Sequence, residues 1–233
     1  KNRDICEECN ERYAIKNGGL PVSFFVVGEK FQEEQYRVVF SGKTVQDGWG
    51  EISKYPDPID RVSGFIDTRK NAKKLLFLPF WSTYPFWQCI KEICQELWEI
   101  TDAEEMWKKI AITNLVKCST SEGRDETPDL LKTNCIQGAR FFEEEVKIIR
   151  PTHIILFTGS EYDNHIRTLN FGYDHEDITS EDNKQPLKGN KRKVLWWHRK
   201  FSRERKVKMQ LLRTYNPGYL RKQEEEVLSS ATR

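Results

Sequence analysis

No apolar run in this chain approaches the roughly 20 residues that a membrane-spanning helix needs, so no bilayer span is expected. The first residues, Lys1-Asn2-Arg3-Asp4, carry none of the apolar stretch of a signal peptide, and a cytoplasmic location is the expectation. There is no G-x-G-x-x-G and no P-loop, so the common nucleotide-binding signatures are missing. Nor is there an internal repeat, which sets aside solenoids and propellers.

What remains is a chain of 233 residues, long enough for one sizeable domain. Seven Trp and thirteen Phe supply the material for a real core. A single domain over residues 1–233, monomeric, is expected. Net charge is only +2, but residues 184–208 hold eleven Lys or Arg against one acid, Glu204, leaving the remainder at −8. Such asymmetry is the electrostatic footprint of a polyanion-binding segment. Trp196, Trp197, His198 and Phe201 alternate with the cations, a pattern suited to a phosphate backbone with splayed bases. A solvated basic loop is the plainer alternative.

Strand and helix signals alternate. Val22–Val27 is a β-branched run stopped by Gly28 and reads as a buried parallel strand, followed by loop to about residue 50. Helices are expected over 84–98 and 103–109, the second capped by Thr101 or Asp102. Ile110–Val116 is a second strand. Thr127-Pro128-Asp129 starts a helix that runs to about Ile149, and His153–Phe157 gives a third strand. A mobile basic insertion is expected at about 171–206, with strands at Val194–Trp197 and Val207–Thr214. The class is α/β, with a central, mostly parallel sheet between helical layers.

Three strings then stand out: Gly28-Glu29 leading to Val39-Phe40-Ser41-Gly42, Asn114-Leu115-Val116-Lys117-Cys118, and Asn216-Pro217-Gly218-Tyr219-Leu220. Each follows a strand-like run, and open α/β folds place ligands at strand ends. The set resembles the uracil-DNA glycosylase superfamily, closest to its iron–sulfur branch, where G-E-[AG]-P-G…P-F-V-G, N-V-V-K-C and H-P-S occupy these places. The Pro-Gly pair of the first motif is missing here, and Asn216 replaces the His of the third, an exchange also found in the mismatch-specific branch.

The resemblance implies a three-layer fold and a DNA glycosylase for a flipped pyrimidine. Phe40 would stack on the base, the Gly28–Glu29 backbone and the Glu29 or Glu33 carboxylate would hold water, and Asn114 would read the pyrimidine edge. Asn216 would stabilise the departing base. Lys117, Lys191, Arg192, Lys193, Pro217, Gly218, Tyr219 and Leu220 would contact DNA. A catalytically inactive DNA-binding protein on the same fold is the alternative.

The cysteines run in the order of that branch: Cys6-x-x-Cys9, then Cys118, then Cys135 on the next helix. Four thiolates so placed suit a 4Fe–4S cluster of structural role. Zinc on the same thiolates and free thiols are the alternatives. Cys89 and Cys94 lie on a helix and read as core.

Overall fold

The computed structural model describes residues 2–13, 26–43, 85–117, 127–179, 197–215 and 217. In chain order the elements are α1 (Asn2–Tyr13), β1 (Val26–Val27), a 3-10 turn (Phe31–Glu33), β2 (Val38–Gly42), α2 (Pro85–Trp98), α3 (Ala103–Lys109) and β3 (Ala111–Asn114). There follow α4 (Asp129–Lys132) running into a π-helical turn (Thr133–Gly138), α5 (Phe141–Ile149), β4 (His153–Phe157), a 3-10 turn (Ser160–Tyr162) and α6 (Asp163–Ile166). The chain continues with β5 (Asp174–Thr179), β6 (Trp197–Arg203) and β7 (Lys206–Thr214).

Among the described residues the strands form one seven-stranded mixed sheet in the order β1-β3-β2-β4-β7-β6-β5. Its centre, β3-β2-β4-β7, is parallel; β1 at one edge and β6 and β5 at the other are antiparallel. With its helices the molecule is an α/β protein. The first of the parallel strands is β2; the second lies on one side of it and the third on the other, so the chain changes direction of winding between β2 and β4. At such a switch, outside the carboxyl strand ends, open α/β sheets commonly place their ligand crevice.

Alternation along the strands divides the core. Val38, Phe40, Ile112 and Phe157 pack with Ile90 and Cys94 of α2 and Met106 and Trp107 of α3. Val39, Ala111, Ile154 and Leu156 pack with Cys9 of α1, Cys135 and Ile136 of the π turn, and Phe142 and Val146 of α5. Asp102 caps α3 by accepting from the Glu105 N–H at 2.9 Å, as its side chain predicts.

Several expectations are corrected. Of the run before Gly28, the described residues Val26–Val27 form an antiparallel strand in which Val27 is exposed, not a buried parallel one, and residues 22–25 lie outside the described residues. The first parallel strand is Val38–Gly42, expected to be loop, and all five of its residues are buried. Burial on both faces explains the misreading: a five-residue strand with Ser and Gly at its end shows no alternation. The helix expected over 127–149 is interrupted. The Ala139 N–H reaches back to the Asn134 C=O at 2.7 Å, a five-residue step, and Arg140 takes a left-handed φ of 56° before α5. That extra residue is wound in where α1 crosses closest, with Ile5 against Gly138. Thr127 supplies no cap; its hydroxyl accepts from Tyr162 at 2.7 Å. Within the expected insertion, residues 174–179 and 197–203 are paired strands of the sheet. Among the described residues, no helix is long and apolar enough to cross a membrane.

Candidate functional site

Asn114 ends β3 directly beside Gly42, which ends β2. The ladder continues one step past both strands: the Leu115 N–H donates to the Gly42 C=O at 3.1 Å and the Val116 N–H to the Lys43 C=O at 2.9 Å. Asn114 is thereby fixed at the carboxyl end of the parallel strands. Its side chain lies on the α2 face, since a Cβ built on Gly42 would meet Asn114 Oδ1 at 2.6 Å and Phe86 Cε2 at 3.7 Å. The missing Cβ of Gly42 thus leaves room for the amide beside an aromatic ring. Asn114 and Phe86 are both half-buried, and the amide makes no hydrogen bond among the described residues. Phe86 stands edge-on to Phe157 (5.4 Å) and to Trp87 (5.0 Å), so its ring is held by packing.

Behind Asn114, on the opposite face, Thr113 and Lys117 form a buried polar group with Glu145 of α5. Lys117 Nζ donates to Glu145 Oε2 at 2.7 Å and to Thr113 Oγ1 at 2.6 Å, and Thr113 Oγ1 donates to Glu145 Oε2 at 2.7 Å. Lys117 is 1% exposed, and burial pulls its pKa below the usual lysine value against the opposing pull of Glu145. This corrects the expectation of a phosphate contact. An interior lysine paired to a carboxylate does not reach DNA; it pins the end of β3.

Phe40 is also displaced from its expected role. Its ring is fully buried, stacked on Phe157 at 6.2 Å with 2° between the planes. It packs in the same cluster as Phe86 and, fully buried, has no face left for a base. Gly28, Glu29 and Glu33 lie at the other end of the sheet. Because β1 runs antiparallel to β3, the residue after β1 meets the beginning of β3: the Gly28 N–H donates to the Ile110 C=O and the Lys30 N–H to the Lys108 C=O, both at 2.8 Å. A Cβ on Gly28 would fall 2.2 Å from the Lys108 carbonyl oxygen. This glycine serves the approach of the loop to α3, and Glu29 and Glu33 are separated from Asn114 by the length of the strand.

The carboxylate that does reach the crevice is one the sequence did not advertise. Lys43, following β2, pairs with Glu161, following β4, across the switch point. At the far side the Gly159 N–H donates to the Thr214 C=O at 2.9 Å, holding the end of β7 against that of β4. Tyr215 and the buried Pro217 continue from there. Asn216, Gly218, Tyr219 and Leu220 lie outside the described residues, as do Lys191, Arg192, Lys193 and Cys118. The chain re-enters the described part at Trp197, opposite Arg213 and so at this same carboxyl end.

The three described candidate ligands come together. Cys6 and Cys9 of α1 and Cys135 of the π turn are all buried, and Cys135 is an electrostatic neighbour of both others. Burial, with Cys135 and Cys9 adding to it, pushes the Cys6 thiol up to about 11. Asn134 Nδ2 donates to Cys9 Sγ at 3.2 Å, and Lys117 is a further neighbour of Cys135. Thiols are the donor type of a cluster or zinc site, and binding such a group would have to draw off the protons that burial holds on Cys6 and Cys9. Among the described residues no three ligating side chains stand as a metal-holding group.

Of the residues the sequence singled out, the structure therefore brings Asn114 to the crevice and gathers Cys6, Cys9 and Cys135. It places Phe40 and Lys117 in the interior and Gly28, Glu29 and Glu33 at the opposite end. Phe86, Gly42, Lys43 and Glu161 join the site instead. No protein-family model matches the chain, and no curated protein matches it.

Proposed function

We propose that the crevice binds a pyrimidine turned out of a DNA strand and that the chain cleaves its N-glycosidic bond. The observation that carries this reading is the half-buried Asn114 amide, without a hydrogen-bonding partner among the described residues, set over Gly42 against the Phe86 ring. An amide offers one acceptor and one donor, which complement N3–H and O4 of uracil or thymine. Phe86 supplies the stacking surface that extruded bases use.

The reaction is hydrolysis through an oxocarbenium-like sugar. The C1′–N bond breaks with its electron pair going to the base, and water adds its oxygen to C1′ and releases a proton. Asn216 would donate a hydrogen bond to the departing base. Glu161, paired with Lys43, would place negative charge at the end of the sheet where the sugar becomes cationic. Cys6, Cys9, Cys118 and Cys135 would hold a 4Fe–4S cluster, or zinc, tying α1 to the π turn and the end of β3. That group would supply cross-linking, while the cleavage chemistry stays with the side chains of the crevice. The fold would then be the three-layer arrangement of uracil-DNA glycosylases.

The placement of Glu29 and Glu33 away from Asn114 favours one second reading: the same pocket binds an extruded base without cleaving it. Asn114→Asp tests the shared premise. It exchanges the NH₂ donor for a carboxylate, which repels O4 but accepts from the 4-amino group of cytosine. Base-dependent binding should shift toward cytosine-like edges, with affinity for lesion-free DNA unchanged because phosphate contacts dominate it. Unaltered base preference would contradict the assignment of Asn114.

A further inference from the structure

We propose that the tip of the β6–β7 hairpin is a second anchor for the phosphates of duplex DNA, at the end of the sheet opposite the crevice. Arg203 and Lys206 pair across the ribbon, leaving Glu204 and Arg205 as a two-residue loop with φ of 53° and 61°. A loop of this kind needs φ > 0 at both positions, which is why Asn-Gly is its usual occupant. Here both residues carry a Cβ in a left-handed conformation that side chains disfavour. The backbone asks for glycine at position 205 and the chain holds an arginine. Strain kept at an exposed turn points to a use for the side chain.

The surroundings say what that use is. Arg203, Arg205, Lys206 and Lys208 are all exposed, and Glu204 is the one acid among residues 203–208. Val207, 53% exposed, is the single apolar residue there. Guanidinium groups on a rigid ribbon suit phosphate oxygens, which they bind in a bidentate manner. A membrane surface would call for an apolar face behind the cations, and one valine does not make one.

The tip lies at the start of β7, and from Lys206 the strand runs eight residue steps to its end at Thr214, a span of about 27 Å at roughly 3.4 Å per residue. That corresponds to about eight base-pair steps of 3.4 Å. Between the two ends, the face of the sheet that carries Phe157 presents His153, His198, Lys200 and Gln210, all half-buried, with Gln210 touching His153. A polar track, with Lys200 as its cation and both histidines held toward the neutral form by burial, thus leads from the tip toward the crevice end.

The test uses a lesion-free 30-base-pair duplex, so it does not depend on base excision. Binding is followed by fluorescence anisotropy over a salt series, alongside thermal unfolding. Arg205→Gly should raise Tm, because it relieves the turn, and should weaken DNA binding. Arg203→Gln, Arg205→Gly and Lys206→Gln together should lower the log–log salt slope by up to about 2.7, at about 0.9 per phosphate contact. Unchanged affinity and slope would reduce the tip to a solvated turn and overturn the proposal. A fall in Tm with Arg205→Gly would mark the arginine as a structural residue and overturn it too. Loss of binding to phosphatidylserine vesicles with DNA binding intact would assign the tip to a membrane instead. Loss of base-dependent binding with the slope intact would count against the pocket alone.

Discussion

Glu145→Gln removes the carboxylate that balances a lysine 1% exposed to solvent. In the native protein Lys117 Nζ has Glu145 Oε2 at 2.7 Å and Thr113 Oγ1 at 2.6 Å. After the change the ammonium stays buried and must be satisfied by a hydroxyl and a neutral amide. Breaking a buried pair from one side typically costs about 3–5 kcal/mol, because an uncompensated charge is left behind. For a chain of this size each kcal/mol moves Tm by about 2–4 °C, so a fall of about 6–20 °C is expected. Replacing both partners with apolar residues, Lys117→Met with Glu145→Leu, removes both desolvation penalties. That double variant should lie between wild-type stability and about 1–4 kcal/mol above it. Urea unfolding followed by tryptophan fluorescence measures both. If Glu145→Gln unfolds within about 1 kcal/mol of wild type, or if the double variant is no more stable than the single one, the pair does not carry the end of β3 as argued.

Gly42→Ala should disturb the crevice while sparing the fold: its Cβ would stand 2.6 Å from Asn114 Oδ1, so the amide must swing away. Base-dependent binding should fall by at least tenfold with circular dichroism unchanged, and intact base preference would contradict the placement of Asn114. Asp177 is held below the usual carboxylate range first by its hydrogen bonds from Arg199. A lowered folded pKa stabilises above the unfolded value of 3.8 and is lost as pH falls through the folded one. The stability gap between wild type and Asp177→Asn should therefore be full at pH 7 and shrink below about pH 3.8; a gap independent of pH would refute the pairing. Protein purified without oxygen should be brown with about four irons per chain, and Cys135→Ser should bleach it. Stoichiometric zinc would replace the cluster, and metal-free folded protein would contradict a thiolate-bound group.

The class of fold was legible where side chains alternate or cap. The periodicity of α2, the cap of α3 narrowed to Thr101 or Asp102, and the β-branched runs of β3, β4 and β7 all read correctly. The sequence misled where burial erases period. Val38–Gly42, inside the sheet with both faces covered, looked like loop, and the exposed-edge pair Val26–Val27 borrowed its role. That exchange carried Gly28, Glu29 and Glu33 to the wrong end, because the direction of β1 is set by pairing with β3 and not by its own residues. Lys117 could not be placed from sequence either, since its partners come from Thr113 one turn of chain back and from Glu145 on a distant helix. Phe86 looked like one more apolar position of α2; only the absence of a side chain at Gly42 shows that it borders a site. Cys6, Cys9 and Cys135 were singled out by their order in the chain alone, and the packing of α1 on the π turn makes them neighbours without forming a metal-holding group among the described residues.

The most direct test of the account is single-turnover release of base from duplexes carrying uracil, thymine opposite guanine, and modified cytosines. The account predicts release of at least one pyrimidine, abolished or redirected by Asn114→Asp. Base-dependent binding without release from any duplex would contradict excision and leave a base-reading DNA-binding protein on the same crevice.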